Sequence, residues 1–380
     1  MQLPVIMMEL IDAVTDIDSA RGTELSVSVY IDSKAPSEVV AHVRGLFAST
    51  MSKVRLTLSY LDSSFAPHPG DDMAVIVAGT SLTIGAAAAA IRGVDVPVAI
   101  VTTLPATVDR AATEGGHAIP EGDIIAPYEG DWDAASEPIE FTDEVRDAID
   151  ERLGQWIVSV CQEKRLALAI AFPFLRRPLA VESVKNTSWQ NAGIGLLPLL
   201  PGADLPFMTL NQAKMVLQIA AAYGQDMNMD RLKEMVAVVG GAYLCRTVAR
   251  ELTEFVPFLG FAIRPGVAYG GTAAMGNAVI EYFEGGQDTA GVANVASKGV
   301  SAFGRLVNTI RNNPDLLADR VRANLDHSVP IVRDKAAEIV PVALELASEF
   351  APRVRDAASD CVPIVKQAVN DMLNPKKADA

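Results

Sequence analysis

Short apolar runs of strand type alternate with helical segments through the first half of the chain. The run MAVIVAG is rich in β-branched residues, KVRLTLSYL alternates polar and apolar residues, and VPVAIVTTL is apolar at nearly every position. Strands that are apolar on both sides are typical of parallel sheets covered by helices on both faces. The alternation therefore predicts a doubly wound α/β domain over residues 1–185. Its predicted strands are 25–32, 53–61, 73–79, 96–104 and 124–128.

The order of these elements resembles that of a small GTPase domain, whose phosphate loop has the pattern GxxxxGK[ST]. No Gly-Lys-Ser or Gly-Lys-Thr occurs in the chain, and the nearest stretch, Gly45–Lys53, has the wrong order. Val101–Leu104 stands where such a domain reads guanine with Asn/Thr-Lys-x-Asp, but it lacks the Lys and the Asp. Asp71 and Asp72 precede a predicted strand rather than end one. We therefore expect a degenerate GTPase-like fold without a P-loop, in which nucleotide binding has been lost.

Other catalytic and metal-binding patterns are weak. The four histidines, His42, His68, His117 and His327, are isolated and form no HxxxH or HExxH motif. The acid-rich stretch 121–151 lacks the residue spacing of a calcium loop, so we interpret it as a solvated acidic surface. These observations favour a protein that is not an enzyme and that carries no cofactor or metal.

Charge and cysteine content restrict the partners and the compartment. The net charge is −15, and residues 1–185 contain 27 acids against 14 bases, which argues against nucleic acid as a partner. Cys161, Cys245 and Cys361 are far apart, as expected of small apolar fillers in a reducing compartment. The N-terminus has no basic region of a signal peptide, and the uncharged run Met73–Ile91 divides into a strand, a turn and a helix. We expect an intracellular protein without a clear membrane-spanning helix.

Helical spacing replaces strand patterns in a central region, residues 186–286. Its last predicted helix is rich in small residues, with Gly266, Gly270 and Gly276 as the candidate helix-packing positions. The Gly266-xxx-Gly270 spacing permits close approach of helices, as in membrane dimers. Tight packing within a soluble bundle is the other interpretation of the same residues.

A series of spaced residues carries a resemblance for this region. It comprises Pro198, Pro201, Asp204, Pro206, Gln212, Met215, Tyr223-Gly224, Gly240-Gly241, Pro257, Gly260, Thr272, Gly276 and Tyr282-Phe283. The pattern resembles domain-of-unknown-function family 697 over residues of about 193–286. That helical family follows Era-like GTPase domains and occurs in some bacterial inner-membrane proteins. The resemblance implies a membrane-proximal helical module next to a GTPase-like domain, and it brings no catalytic residues.

The tail, residues 287–380, contains an 11-residue repeat at 329–372. The four units are VPIVRDKAAEI, VPVALELASEF, APRVRDAASDC and VPIVKQAVNDM. Eleven residues make three helical turns, so each repeat position keeps nearly the same angle on a helix. A proline in every unit introduces a kink, which predicts a curved amphipathic helix.

The repeat places apolar residues on one stripe of this helix, which is the candidate interface with lipid or with a partner protein. The stripe consists of Val332, Ala336, Ile339, Val340, Ala347, Phe350, Val354, Ala358, Val362, Val365, Val369 and Met372. Proline-punctuated 11-residue helices resemble the lipid-binding helices of apolipoproteins. The stripe is rich in Ala and Val and the polar face has mixed charge, so membrane binding would be weak and reversible.

Three functions are consistent with these patterns. The first is a non-enzymatic, membrane-associated adaptor or scaffold, cytoplasmic and peripheral to the inner face of the cell membrane. The second is a soluble scaffold that self-assembles into a homo-oligomer through the tail. The third is a GTPase-like enzyme that binds nucleotide with an unconventional phosphate loop.

Overall fold

The structure is a computed structural model, and it describes residues 3–130, 132–196, 205–225 and 260–285. The chain divides into two compact units. One unit comprises Thr15–Glu182 and Ala221–Gln225, and the other contains the described residues 3–14, 183–196, 205–220 and 260–285. The 11-residue repeats and all twelve residues of the predicted stripe lie outside the described residues.

The described part of the first unit alternates strands with helices, as the sequence predicts. The strands are β1 (Leu25–Ile31), β2 (Val54–Tyr60), β3 (Met73–Val77), β4 (Val98–Val101) and β5 (Ile124–Ile125). The described α-helices of both units are α1 (Leu3–Gly22), α2 (Ser37–Leu46), α3 (Ile84–Arg92), α4 (Pro105–Glu114), α5 (Asp143–Val160), α6 (Arg165–Ala171), α7 (Arg176–Leu196), α8 (Leu205–Ala222) and α9 (Gly260–Glu284).

The five strands form one parallel sheet in the order β2-β1-β3-β4-β5. The chain adds β2 on one side of β1 and then crosses to the other side for β3, so helices reach both faces of the sheet. Strands β3 and β4 are buried along their whole length, which explains their continuous apolar sequences. The expectation of an α/β domain with a parallel sheet is confirmed.

Each face of the sheet has its own apolar core. On one face α2, α5 and α6 cover the strands, and the ring of Phe47 lies 5.2 Å from that of Phe172. On the other face α3 and α4 supply Ile91 and Val108, which pack on Ile76 and Ile100. Small alanine side chains of α3 also belong to this second core.

The described part of the second unit is helical. Segments of α7 and α8 pack with α9 around buried apolar residues that include Leu217, Ile219, Met275 and Ile280. The sequence predicts helices here, and its resemblance to a family remains a prediction.

Candidate functional site

In an open parallel sheet, ligands bind outside the carboxyl ends of the strands, where the strand order reverses. In this sheet the reversal lies between β1 and β3. The residues that follow these strands are therefore the candidate site. They are Asp32 after β1 and Gly79 to Ser81 after β3.

Asp32 fills the position at which a bound anion would be expected. This residue is only 3% exposed. The backbone N–H groups of Gly79 and Ser81 donate to Oδ2 at 3.0 and 3.2 Å, and the Ser81 hydroxyl donates to Oδ1 at 2.6 Å. The Lys34 N–H also donates to Oδ1, at 3.1 Å. Loop N–H groups that lead from a strand into a helix commonly bind phosphate. Here they bind a carboxylate of the chain itself.

The two loops also touch through their main chains. A Cβ atom on Gly79 would lie 2.2 Å from the carbonyl carbon and oxygen of Lys34 and 2.4 Å from the nitrogen of Ala35. Only glycine leaves room for this approach. The gap between the β1 and β3 loops is therefore closed by backbone at Gly79.

Glu137 occupies a second anion position, at the N-terminus of α4. Its carboxylate accepts the Ala106 N–H at 2.6 Å, the Thr107 N–H at 3.1 Å and the Thr107 hydroxyl at 2.6 Å. Since a helix N-terminus carries partial positive charge, this carboxylate stabilises the helix. The N–H groups of Ala106 and Thr107 in the first turn of α4 thus donate to a side chain of the same protein instead of to a bound anion.

The stretch 101–104, which was compared with a guanine-reading motif, lies at the end of β4. The Thr102 hydroxyl in this stretch forms its hydrogen bonds within the chain. The Thr102 hydroxyl donates to the Ala78 carbonyl at 3.2 Å and accepts the Leu104 N–H at 2.9 Å. Thr102 and Thr103 are almost completely buried. Their side chains connect the strand ends to the loops and are not available to a ligand in this arrangement.

Asp71 and Asp72 lie before β3, at the opposite end of the sheet. Asp71 accepts the Ser26 hydroxyl at 2.6 Å and pairs with Arg55 at 2.5 Å. Asp72 accepts the Ser26 N–H at 2.8 Å and pairs with Lys164 at 2.6 Å. These carboxylates connect β1 to β2, to β3 and to the start of α6, which is a structural role.

The thiol of Cys161 is buried beside this cluster. Its sulfur lies 3.8 Å from the Asp72 carbonyl oxygen. Burial, with a contribution from the Asp72 charge, raises the pKa of the thiol to about 12. Such a thiol stays protonated at neutral pH, so it is not an activated nucleophile.

His42 and Asp150 form a half-buried pair between α2 and α5. The Nε2 atom of His42 lies 2.6 Å from Oδ1 of Asp150, and the imidazole packs edge-on against Phe141. Burial raises the pKa of Asp150, while the hydrogen bond from His42 opposes that effect. Within the described ranges, no three His, Cys, Asp or Glu side chains converge as metal ligands would.

The three candidate packing glycines all lie in α9. Gly270 and Gly276 are buried. A Cβ on Gly276 would meet Val184 of α7 at 2.3 Å, so the backbones of α7 and α9 approach closely there. Gly266 belongs to the same helix, and its surroundings lie outside the described features.

A polar network lies inside the same three helices. Thr272 Oγ1 of α9 accepts the side-chain amides of Asn191 and Gln212, each at 2.9 Å. Asn191 in turn accepts the Asn211 amide at 3.0 Å. Thr272, Asn191 and Gln212 are buried, whereas Asn211 is half-buried. The hydrogen bonds therefore fix the rotation of α7, α8 and α9 and their relative positions along the helix axes.

The sequence patterns missed Asp32 and Glu137. An acid directly after the apolar run 25–31 was the available signal for Asp32, whereas no local signal linked Glu137 to the distant helix α4.

Comparison of the chain with protein-family models, with curated proteins and with solved structures finds no match. No described helix has both the length and the apolar character needed to cross a membrane.

Proposed function

We propose that the protein is a non-enzymatic adaptor or scaffold, attached to membrane lipid through its helical module and its amphipathic tail. The observation that supports the absence of an enzymatic role is that the chain's own side chain fills the site between β1 and β3, where the strand order reverses. Asp32 accepts hydrogen bonds from the loop N–H groups that would otherwise be available to a phosphate. The backbone at Gly79 closes the gap between the loops that follow β1 and β3.

In this proposal the first unit is a GTPase-like domain that has lost nucleotide chemistry. A triphosphate would have to displace the Asp32 carboxylate and would be repelled by it at close range. The chain offers no P-loop lysine to offset that repulsion. The retained sheet would then serve as a rigid platform for a protein partner.

The attachment half of the proposal comes from the tail and the helical module. The apolar stripe of the 11-residue repeats, from Val332 to Met372, is apolar enough to lie in the lipid headgroup region, and the mixed charge of the opposite face predicts weak, reversible binding. The protein would therefore be cytoplasmic and peripheral to the inner face of the cell membrane.

Packing of the same stripe against another copy is the competing proposal, because an 11-residue period also keeps one face aligned for protein contact. Flotation of the full chain with liposomes separates the two. Val332→Asp, Val354→Asp and Val365→Asp combined place three acids on the stripe. Ser348→Asp, Ser359→Asp and Asn370→Asp combined add the same charge away from it.

We expect the wild-type chain and the off-stripe variant to float, and the stripe variant to remain in the dense fraction. If none of the three proteins floats but the stripe variant alone forms smaller assemblies than the wild type, the soluble scaffold is correct. Flotation of all three would assign the attachment to the helical module.

Thermal unfolding with GTP and Mg²⁺ tests the loss of nucleotide chemistry. A ligand at one hundred times its Kd stabilises a fold by about 2.7 kcal/mol, which would raise Tm by several degrees. We expect no change in Tm. A clear increase would instead favour a nucleotide-binding enzyme.

A further inference from the structure

Strand β2 forms one edge of the sheet, and half of its backbone groups point away from β1. Leu25 donates its N–H to the Lys53 carbonyl, and Leu61 donates to the Ile31 carbonyl, at 3.0 and 2.9 Å. Alternate residues of a strand direct their backbone N–H and C=O groups to the same neighbour. These two bonds therefore show that the backbone groups of the odd-numbered residues of β2 point toward β1. The N–H and C=O groups of Leu56 and Leu58 therefore point away from β1, to the side where the described part of the chain has no further strand.

The same edge exposes apolar side chains. Val54 and Leu56 pack against the core beneath α2, while Leu58 and Tyr60, which point to the same face, are 41% and 58% exposed. Among the described residues only six large apolar side chains are exposed to this degree, and two of them belong to β2.

Natural sheets usually protect an exposed edge with proline, inward charges or a bulge. Strand β2 contains no proline and no acid. Its one charged residue, Arg55, points to the opposite face from Leu58 and is held by Asp71 and Ser26. The sequence of β2 therefore contains neither a proline nor a charge on the apolar face, two features that commonly prevent pairing with another strand.

We propose that β2 pairs antiparallel with β2 of a second copy of this chain, about a two-fold axis at Thr57. This inference is independent of lipid attachment by the tail. The two sheets would join into one continuous sheet of ten strands.

The strand is self-complementary in this register. Leu56 lies opposite Leu58 of the second copy, and both have backbone groups that face outward, so each such pair exchanges two hydrogen bonds. Val54 lies opposite Tyr60 of the second copy on the same apolar face. On the other face Thr57 meets its own copy and Arg55 meets Ser59, so no like charges are opposed. The register uses the whole strand from Val54 to Tyr60.

Sedimentation of the full-length protein over a range of concentrations measures the association. We expect a dimer in the wild type and a monomer in Leu58→Lys and in Leu58→Pro. A lysine on an edge strand commonly prevents pairing with another strand. Proline removes the N–H of residue 58, which points away from β1 and would bond to the second copy. Leu82→Lys is the matched control, because Leu82 is 76% exposed and lies outside β2.

A cysteine pair tests the register itself. Cysteines at position 57 would have Cα atoms about 4.5 Å apart across the axis, within the range of a disulfide. Thr57→Cys should therefore form a dimer linked through residue 57 on mild oxidation, whereas Ser59→Cys, which lies opposite position 55, should not. Peptide mapping identifies the link and distinguishes it from the native cysteines.

A monomeric wild type would overturn the inference. So would a dimer that persists in both Leu58 variants without a link at position 57, because that dimer would form through another surface. Equal cross-linking at positions 57 and 59 would also reject the proposed register.

Discussion

Gly276 of α9 packs directly against Val184 of α7. A Cβ atom added to the glycine would lie 2.3 Å from Cγ2 of Val184 and 2.8 Å from Cγ1. Real Cβ atoms do not approach other atoms so closely, and Val184 is β-branched and buried, with little freedom to move. The close approach of the two helices at this contact therefore depends on the absence of one methyl group.

Gly276→Ala should destabilise the protein by about 1–3 kcal/mol, because the new methyl overpacks the contact with Val184. Gly271→Ala in the same helix is the control. A Cβ at Gly271 meets nothing within 4 Å, so alanine there should raise stability by about 0.5–1 kcal/mol. Urea unfolding of the full-length variants measures both changes.

Val184→Ala tests whether the cost comes from this contact. In the background of Val184→Ala, Gly276→Ala should cost much less than it does alone, since the new methyl then meets a smaller side chain. If the two substitutions add independently, the tight contact with Val184 is not the source of the effect.

Buried strands and covered helices were predictable from the sequence because their apolar patterns are local. The runs 25–32 and 73–79 contain β1 and β3, and the alanine-rich segment became α3. Strand β5 is shorter than the predicted 124–128, ending at Ile125 before Ala126 and Pro127, since proline cannot continue a ladder. Helix α1, Leu3–Gly22, was not predicted.

The candidate site was not predictable in the same way. The partners of Asp32 depend on which strand lies beside β1, and strand order is a tertiary property. Glycines in the sequence of α9 indicated close helix packing, but no pattern indicated Val184 as the residue in contact.

Thr272→Val should destabilise the second unit by about 1–3 kcal/mol. Valine has nearly the same shape, but it removes the oxygen that accepts the amides of Asn191 and Gln212, which are buried. Thr272→Ser keeps that oxygen and loses only a methyl group. We expect serine to be the milder change in thermal unfolding, and the reverse order would mean that packing of the methyl, rather than the hydrogen bonds, is what matters.

Asp32→Asn should lower the free energy of unfolding by about 2–3 kcal/mol. Both carboxylate oxygens of Asp32 accept hydrogen bonds, and asparagine can replace only one of them as an acceptor. Its NH₂ group would then face an N–H donor of Lys34 or of Gly79. Asp18→Asn, at an exposed position of α1, removes the same charge and should have little effect. Equal stability of the two variants in urea would show that Asp32 does not hold the loops together.

Stability should decrease as the pH rises above about 9, in a manner that depends on Cys161. The pKa of this thiol is about 12 in the folded protein against an ordinary value of 9.0. Between these values the folded state retains a proton that the unfolded state has lost. The unfolded state therefore binds fewer protons, and the free energy of unfolding falls with pH.

The expected loss between pH 8 and pH 10 is about 1 kcal/mol, since each unit of pH in this window contributes up to about 1.4 kcal/mol. Urea unfolding of the wild type and of Cys161→Ala at both pH values isolates the contribution. The substitution leaves a cavity and lowers stability at both pH values, so the quantity to compare is the difference between them. That difference should be smaller by about 1 kcal/mol in Cys161→Ala, and identical pH dependence in the two proteins would mean that the buried thiol ionises normally.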